Sequence, residues 1–92
     1  MRRKARIDGN QEEIASALER VGVLVERRLA RLGSGIPDLL CWYHKKWYVI
    51  EIKLPNEKLT EKEVEWHSKF MGAIIVHSIE EAFKALEIKT CG

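Results

Sequence analysis

Apolar positions along the chain fall into short, separate runs whose spacing changes from one to the next. From Gln11 to about Val21, Ile14, Ala15, Leu18 and Val21 recur at i, i+1, i+4 and i+7, which draws one stripe along a helix. Gly22 stands where a helix-ending glycine would. Asp8-Gly9-Asn10 ahead of the stripe reads as a turn, with Asp8 or Asn10 as the cap. Glu12 and Glu13 then lie in the first turn, where the helix dipole favours a carboxylate. Val23 to Leu29 reads as a first strand, from its β-branched start. After the loop Leu32-Gly33-Ser34-Gly35, Pro37 opens a second strand that continues to Tyr43, and Trp47 to Lys53 forms a third. Pro55-Asn56 breaks that run. Thr60 caps a second helix, with Glu63 completing a capping box. This helix runs to about Met71, with Val64, His67 or Lys69, and Phe70 toward the core, and Gly72 as its stop. Ala73 to Val76 is a short apolar strand, and Ser78 caps a third helix through Leu86. The order α-β-β-β-α-β-α predicts an α/β domain with a small mixed sheet flanked by helices.

Length and composition narrow this only a little. With 92 residues, 46% of them apolar and 33% charged, the chain is read as a single soluble domain over residues 1–92. No apolar run can span a bilayer and no signal-type stretch follows the basic start, so the expected location is the cytoplasm. Cys41 and Cys91 form neither a disulfide framework nor a zinc spacing, and Cys41 reads as a small core residue. The net charge of +2 is uneven: residues 1–46 hold ten Lys/Arg against six Asp/Glu, and residues 47–92 hold six against eight. Residues 1–7 read as a mobile basic arm. Arg2, Arg3, Lys4, Arg6, Arg27, Arg28 and Arg31 are the expected phosphate contacts, against the plainer reading of solvated charges.

Three residues do not fit the strands that carry them. Asp38 follows Gly35-Ile36-Pro37, and Glu51 and Lys53 sit two apart in a Val/Ile run. Such side chains are almost never buried unless paired or ligand-bound. If the hairpin loop has two or four residues, facing residue numbers sum to 89 and Asp38 stands opposite Glu51, with Cβ atoms about 4.5–5.5 Å apart. Lys53 then shares their side of the sheet, whereas an odd loop would put the two acids on opposite faces. Two carboxylates that close repel unless a cation lies between them. Mg²⁺ takes one or two carboxylates plus water and phosphate oxygens, and the carbonyl of Ile52 is a further oxygen at the strand end. A lysine beside such an ion suits phosphodiester hydrolysis. The plainer alternative is a salt bridge from Lys53 to Glu51 or Asp38 with no metal.

Pro37-Asp38, a spacer of about a dozen residues, then Glu51-Ile52-Lys53 is the PD-(D/E)xK nuclease signature. With Asn10-Gln11-x-Glu13-Ile14 opening a helix, Gly35-Ile36-Pro37-Asp38-Leu39-Leu40, and a Leu-Thr…Trp66 helix, the chain resembles the VRR-NUC (virus-type replication-repair nuclease) domain from Asp8 to about Val76. That resemblance implies a restriction-endonuclease-like core and a Mg²⁺- or Mn²⁺-dependent DNA endonuclease, with no organic cofactor. It implies Asp38 and Glu51 as metal ligands with the Ile52 carbonyl, Lys53 as catalytic lysine, and Glu13 as a helix-one acid that approaches the metal, directly or through water. Glu63 stands where related sequences often carry Gln, so it is either a site residue or only a capping-box residue. Short members of phage type pair as homodimers and cut branched DNA such as four-way junctions, and larger members serve in DNA repair.

Other features are weighed against this reading. His44, His67 and His77 lack zinc-ligand spacing, and His44 reads as a turn residue. Trp42, Trp47 and Trp66 suit core or dimer-interface packing better than base stacking. The loop before Ile36 is no phosphate loop, since no Gly-Lys-Ser/Thr follows. Two rival functions stand beside the nuclease: a non-catalytic DNA-binding module, and a sequence-specific restriction-type endonuclease, for whose recognition element 92 residues leave little room.

Overall fold

The structure is a computed structural model that describes the backbone of residues 2–89 and the side chains of residues 10–89. Its elements are α1 (Arg2–Arg20), β1 (Leu24–Glu26), a 3-10 turn (Arg28–Leu32), β2 (Leu39–Tyr43), β3 (Lys46–Ile52), α2 (Glu61–Lys69), β4 (Ala73–Val76) and α3 (Ile79–Ala85). The α-β-β-β-α-β-α order is as expected, with the 3-10 turn inserted. The sheet runs β1-β2-β3-β4 and is mixed: β1 with β2 and β2 with β3 are antiparallel, β3 with β4 parallel. A parallel neighbour needs a crossover, and α2 lies on it. No helix among the described residues is long and apolar enough to cross a membrane.

The β2–β3 hairpin closes through two residues, His44 and Lys45, both at positive φ (49° and 65°). A two-residue turn with both central φ positive matches the right-handed twist of the strands it joins. Leu39 pairs with Ile50 and Tyr43 with Lys46, so facing numbers sum to 89, the even-loop register. Alternation then sends Leu39, Cys41, Ile50 and Ile52 to one face, where they pack with Val76 against Ile14, Ala15 and Leu18 of α1, Ala82 of α3 and its C-cap Leu86. Each large aliphatic side chain buried there contributes about 1.5–3 kcal/mol. Cys41 is a fully buried free thiol, as expected of a core cysteine, and Cys91 lies outside the described residues.

Helix α1 stops where its glycine demands. Gly22 (φ 97°) donates to the Glu19 carbonyl and Val23 to the Leu18 carbonyl, the paired bonds of a left-handed C-terminal cap. Its start differs from expectation. The helix begins at Arg2 and passes through Asp8-Gly9-Asn10 without a turn, so residues 2–7 form its opening turns and Glu12 and Glu13 lie in its middle, outside the dipole's first-turn reach. A glycine inside a helix costs about 1 kcal/mol, which weakens a helix without ending it. Val21 at the other end is exposed.

Two more expectations are corrected. The first strand covers three residues and not seven. Glu26 folds onto the next turn, accepting from the Arg28 backbone N–H (3.0 Å) and from its guanidinium (2.6 and 2.7 Å), and the local loop takes Arg28 out of the ladder. Helix α2 has the predicted Thr60–Glu63 capping box but buries no residue fully; Val64 and Phe70 are more than half exposed. It meets the sheet with a polar face, described below.

The loop before β2 rests on α2. Gly35 (φ 81°) lies so close to the first turn of α2 that a Cβ would run into the Lys62 carbonyl and the Glu63 nitrogen. Gly35→Ala therefore combines left-handed strain with a backbone clash. Its expected cost is about 2–3 kcal/mol, a fall in melting temperature of roughly 10 °C or more in thermal unfolding followed by circular dichroism. An unchanged melting temperature would mean that the loop does not hold this position.

Candidate active site

Asp38 sits where the hairpin ladder ends. Its backbone N–H still reaches the Ile50 carbonyl (3.0 Å), and its side-chain Oδ2 accepts from the Ile52 N–H at 2.7 Å. The carboxylate thus takes over the ladder and is pinned beside the end of β3. Glu51 lies between two core residues, Ile50 and Ile52, so alternation turns it to the opposite side of the sheet; there it is only 2% exposed. Lys53 follows, its N–H bonded to the Val76 carbonyl at 3.0 Å and its side chain 7% exposed. The proposed register is therefore realised, and Asp38, Glu51 and Lys53 converge at one sheet end.

Helix α2 closes that end with two residues one turn apart. Glu63 Oε1 accepts from Lys53 Nζ at 2.7 Å and from the Thr60 N–H at 2.8 Å, so one oxygen serves both ion pair and helix cap. Glu63 thus completes the capping box and also pairs with Lys53. His67, an i,i+4 neighbour of Glu63, brings Nε2 to 3.5 Å from Glu51 Oε1. That pair lacks hydrogen-bonding geometry, and both atoms are buried without a partner. Glu57 adds a longer contact to Lys53, 3.6 Å. His67 and Glu57 are the participants that sequence reasoning missed. The usable signal was the i,i+4 spacing of Glu63 and His67 on a helix that must cross from β3 to β4.

The charges strain one another. Burial, then the nearby charges of Asp38 and Glu63, push the Glu51 carboxyl up to about 9. Burial also raises Asp38, against the lowering effect of the Ile52 N–H and of Glu51. The two carboxyls are close enough to share a proton. Lys53 goes the other way. Burial alone would lower it, but the hydrogen bond and charge of Glu63, helped by Glu57 and Glu51, leave it above the usual lysine range. Glu63 is held below the carboxylate range because Lys53 and the Thr60 N–H outweigh its burial. Lys53 is thus a fixed cation at neutral pH. A groove of about 530 Å³ between the Gly33–Ile36 loop and the first turn of α2 opens onto Asp38 and Glu63.

Other expected site residues lie elsewhere. Glu13 is exposed and lines a separate shallow groove with Glu12, Ser16, Arg20 and Ile79. Helical phase explains this: Gln11, Ile14, Ala15 and Leu18 share the inward face, and Gln11, two residues from Glu13, reaches the Arg27 carbonyl at 3.5 Å. The structure does not bring Glu13 to the Asp38–Glu51 pair. Arg27 is engaged by Glu12 (3.3 Å) and Glu19 (3.1 Å), and Arg28 by Glu26, whose carboxyl it draws down to about 2. Arg31 is exposed. The side chains of Arg2, Arg3, Lys4 and Arg6 lie outside the described residues.

The donor set suits a hard divalent cation. Two facing carboxyls that raise each other's energy when ionised are what such an ion would relieve. Among the described residues no group of three or more His, Cys, Asp or Glu is placed to hold an ion. Two carboxylates with the remaining positions left to water and substrate is the Mg²⁺ pattern.

A small mixed sheet with flanking helices and an Asp, Glu, Lys cluster at its end is the architecture of a restriction-endonuclease-like nuclease domain. Residues 5–90 match the family model of the VRR-NUC domain. The chain belongs to that family of nuclease domains, whose substrate is DNA. Neither the curated proteins nor the solved structures return a match.

The raised carboxyl pair carries a sign for stability. Between the ordinary glutamate range and about pH 9 the unfolded chain releases a proton that the folded one retains, so stability falls as pH rises through that window. Without divalent ions, the melting temperature should drop from pH 5 to pH 9. Asp38→Asn, which can still accept from the Ile52 N–H, should flatten that drop, each kcal/mol recovered being worth roughly 4–8 °C. A wild-type profile that rises with pH would contradict the arrangement.

Proposed function

We propose that the protein is a divalent-metal-dependent DNA endonuclease that cuts branched DNA, four-way junctions foremost, as a homodimer. One observation carries the catalytic part. Buried Glu51 faces Asp38, and Lys53 is held charged at the same sheet end. Asp38, Glu51 and the Ile52 carbonyl are the proposed ligands of Mg²⁺ or Mn²⁺. When bound, such an ion supplies Lewis acidity toward a phosphate oxygen and favours hydroxide at neutral pH.

The chain's own residues do the rest. Asp38, tied to the Ile52 N–H, presents its carboxylate at the mouth of the groove, where a DNA strand can enter. Lys53, kept protonated by Glu63 and Glu57, is unsuited to act as a base; it offsets negative charge building on the phosphate. Water attacks phosphorus in line and loses a proton as its P–O bond forms. The bridging P–O bond opposite breaks, and its oxygen leaves and is protonated.

Symmetric cutting of a junction needs two sites related by a two-fold axis. Support for a dimer comes from the sheet face that α2 leaves open. There Leu24 (66% exposed) and Trp47 (65%) surround a groove of about 400 Å³ with Leu40 and Trp42, and the two indole rings lie 4.7 Å apart. Exposed apolar patches of this kind mark protein interfaces.

Incubating purified protein with a labelled four-way junction and Mg²⁺ or Mn²⁺ tests the enzyme reading. Cleavage should vanish with EDTA and fall on the order of 10²–10³-fold in Lys53→Ala, the loss typical of removing one stabilising donor. Inert wild type, or undiminished cutting by Lys53→Ala, would leave the rival of a non-catalytic DNA-binding module, whose affinity would ignore both metal and Asp38→Asn. Discrete bands from plasmid digestion would favour sequence-specific cutting instead. For the dimer, Trp47→Arg should sediment as a monomer where wild type sediments as a dimer; a monomeric wild type removes the paired-site model.

A further inference from the structure

Nε2 of His67 and Oε1 of Glu51 face each other across 3.5 Å, and both are cut off from solvent without a hydrogen-bond partner. Two orphaned atoms in one buried spot account for each other. An ionised carboxylate oxygen can only accept, so with Glu51 ionised beside a cation the contact is favourable when the imidazole carries its hydrogen on Nε2. Toward that carboxylate, a lone pair on Nε2 would oppose a lone pair. The gap exceeds a charge-assisted N–H···O bond of about 2.7–2.9 Å by well under an ångström, within reach of a small ring or carboxyl rotation.

The setting is built for that contact. Glu63 and His67 occupy one face of α2 at i,i+4, and Lys53 and Glu51 occupy one side of the β3 end at i,i+2, so the helix meets the strand residue for residue. Glu63 anchors the first pair at 2.7 Å and thereby fixes where His67 can reach. Trp66 braces the imidazole edge-on at 5.7 Å, and Phe70 in turn lies 4.5 Å from Trp66.

We infer that His67 is a positioning residue for Glu51. Its Nε2–H donates to Oε1 and fixes the rotation of the carboxyl group, leaving Oε2 free for a divalent ion that Asp38 would also hold. The inference rests on the nuclease reading above, and it gives His67 no contact with metal or DNA.

Calorimetric titration of the full chain with Mn²⁺ tests it. His67→Leu keeps comparable bulk and removes the donor; it should bind Mn²⁺ about 10–100-fold more weakly, as expected for loss of a group that orients a ligand. His67→Gln, which restores an N–H, should recover much of that loss. A purely structural role would lower the melting temperature of His67→Leu and leave Mn²⁺ affinity alone, so a folded His67→Leu with wild-type affinity overturns the inference while leaving the nuclease reading intact. Wild type that binds no Mn²⁺ overturns the metal reading and this role with it. Should His67→Leu fail to fold, long-range ¹H–¹⁵N imidazole spectra of the wild type decide. With Mg²⁺ present, a hydrogen on Nε2 whose signal shifts in Glu51→Gln supports the contact, and a hydrogen on Nδ1 alone refutes it.

Discussion

Everything at the sheet end depends on a turn of two residues. His44 and Lys45 both adopt left-handed backbone, a conformation that β-carbon-bearing residues reach at some cost. That turn sets an even register, and the even register puts Asp38 on the same side of the sheet as Glu51 and Lys53. One residue more or less would send Asp38 toward the Leu39–Ile50 core and leave Glu51 buried alone. The ladder itself enforces the arrangement from the other end. Past Leu39 the Asp38 carboxylate, in place of a backbone carbonyl, accepts from the Ile52 N–H. The acid is therefore part of the sheet's hydrogen bonding as well as of the site, and cannot drift from it.

Helix α2 shows the reverse dependence, of fold on site. It buries no side chain fully: Val64, and Phe70 at its C-cap, are more than half exposed, and Trp66 is only half-buried. Its hold on the sheet comes from Glu63 on Lys53, His67 near Glu51, and the flush contact of Gly35 with the Lys62 carbonyl. Ion pairs of this burial return little net stability, yet removing one partner leaves a buried charge at a cost of about 3–5 kcal/mol. The helix that covers this sheet end is thus held largely by polar contacts to the candidate site. Substitutions there disturb helix docking and the candidate site together.

Much of this is legible in the sequence, and the reasons are local. The Thr60–Glu63 box, Gly22, Ser78 and the 89 register follow from rules that act within a few residues or across one hairpin. What escapes depends on competition. Gly9 and Asn10 look like a turn, but the helix around them outweighs their preference. Val23 to Leu29 looks like one strand until the Glu26 carboxylate captures Arg28. Val64 and Phe70 fit an inward stripe as well as Glu63 and His67 do. Only the charges waiting on β3 decide which face turns in, and those charges lie ten or more residues away in sequence. Glu13 shows the limit of motif transfer. The motif carries its identity, but helical phase points it away from the pair.

The charge balance of the cluster limits what the site can accept. Four carboxyls, Asp38, Glu51, Glu57 and Glu63, surround one ammonium. Ionised in full they would repel a DNA phosphate, and the proton retained between Asp38 and Glu51 removes only part of that repulsion. Attraction from elsewhere is modest. The net charge is +2, and Arg27 and Arg28 are already matched by Glu12, Glu19 and Glu26. Arg27 and Arg28 therefore add little to indiscriminate phosphate contacts, whose strength rests on free Lys and Arg. On the proposed reading, a substrate phosphate enters the groove only when a cation offsets the carboxyls, and duplex DNA in general holds no strong electrostatic advantage. Selection then falls to shape: a DNA whose strands present themselves to two sites at a fixed separation gains twice from one encounter. On that reading, the spacing of two paired sites, more than the charge of the surface, sets which DNA shapes are cut.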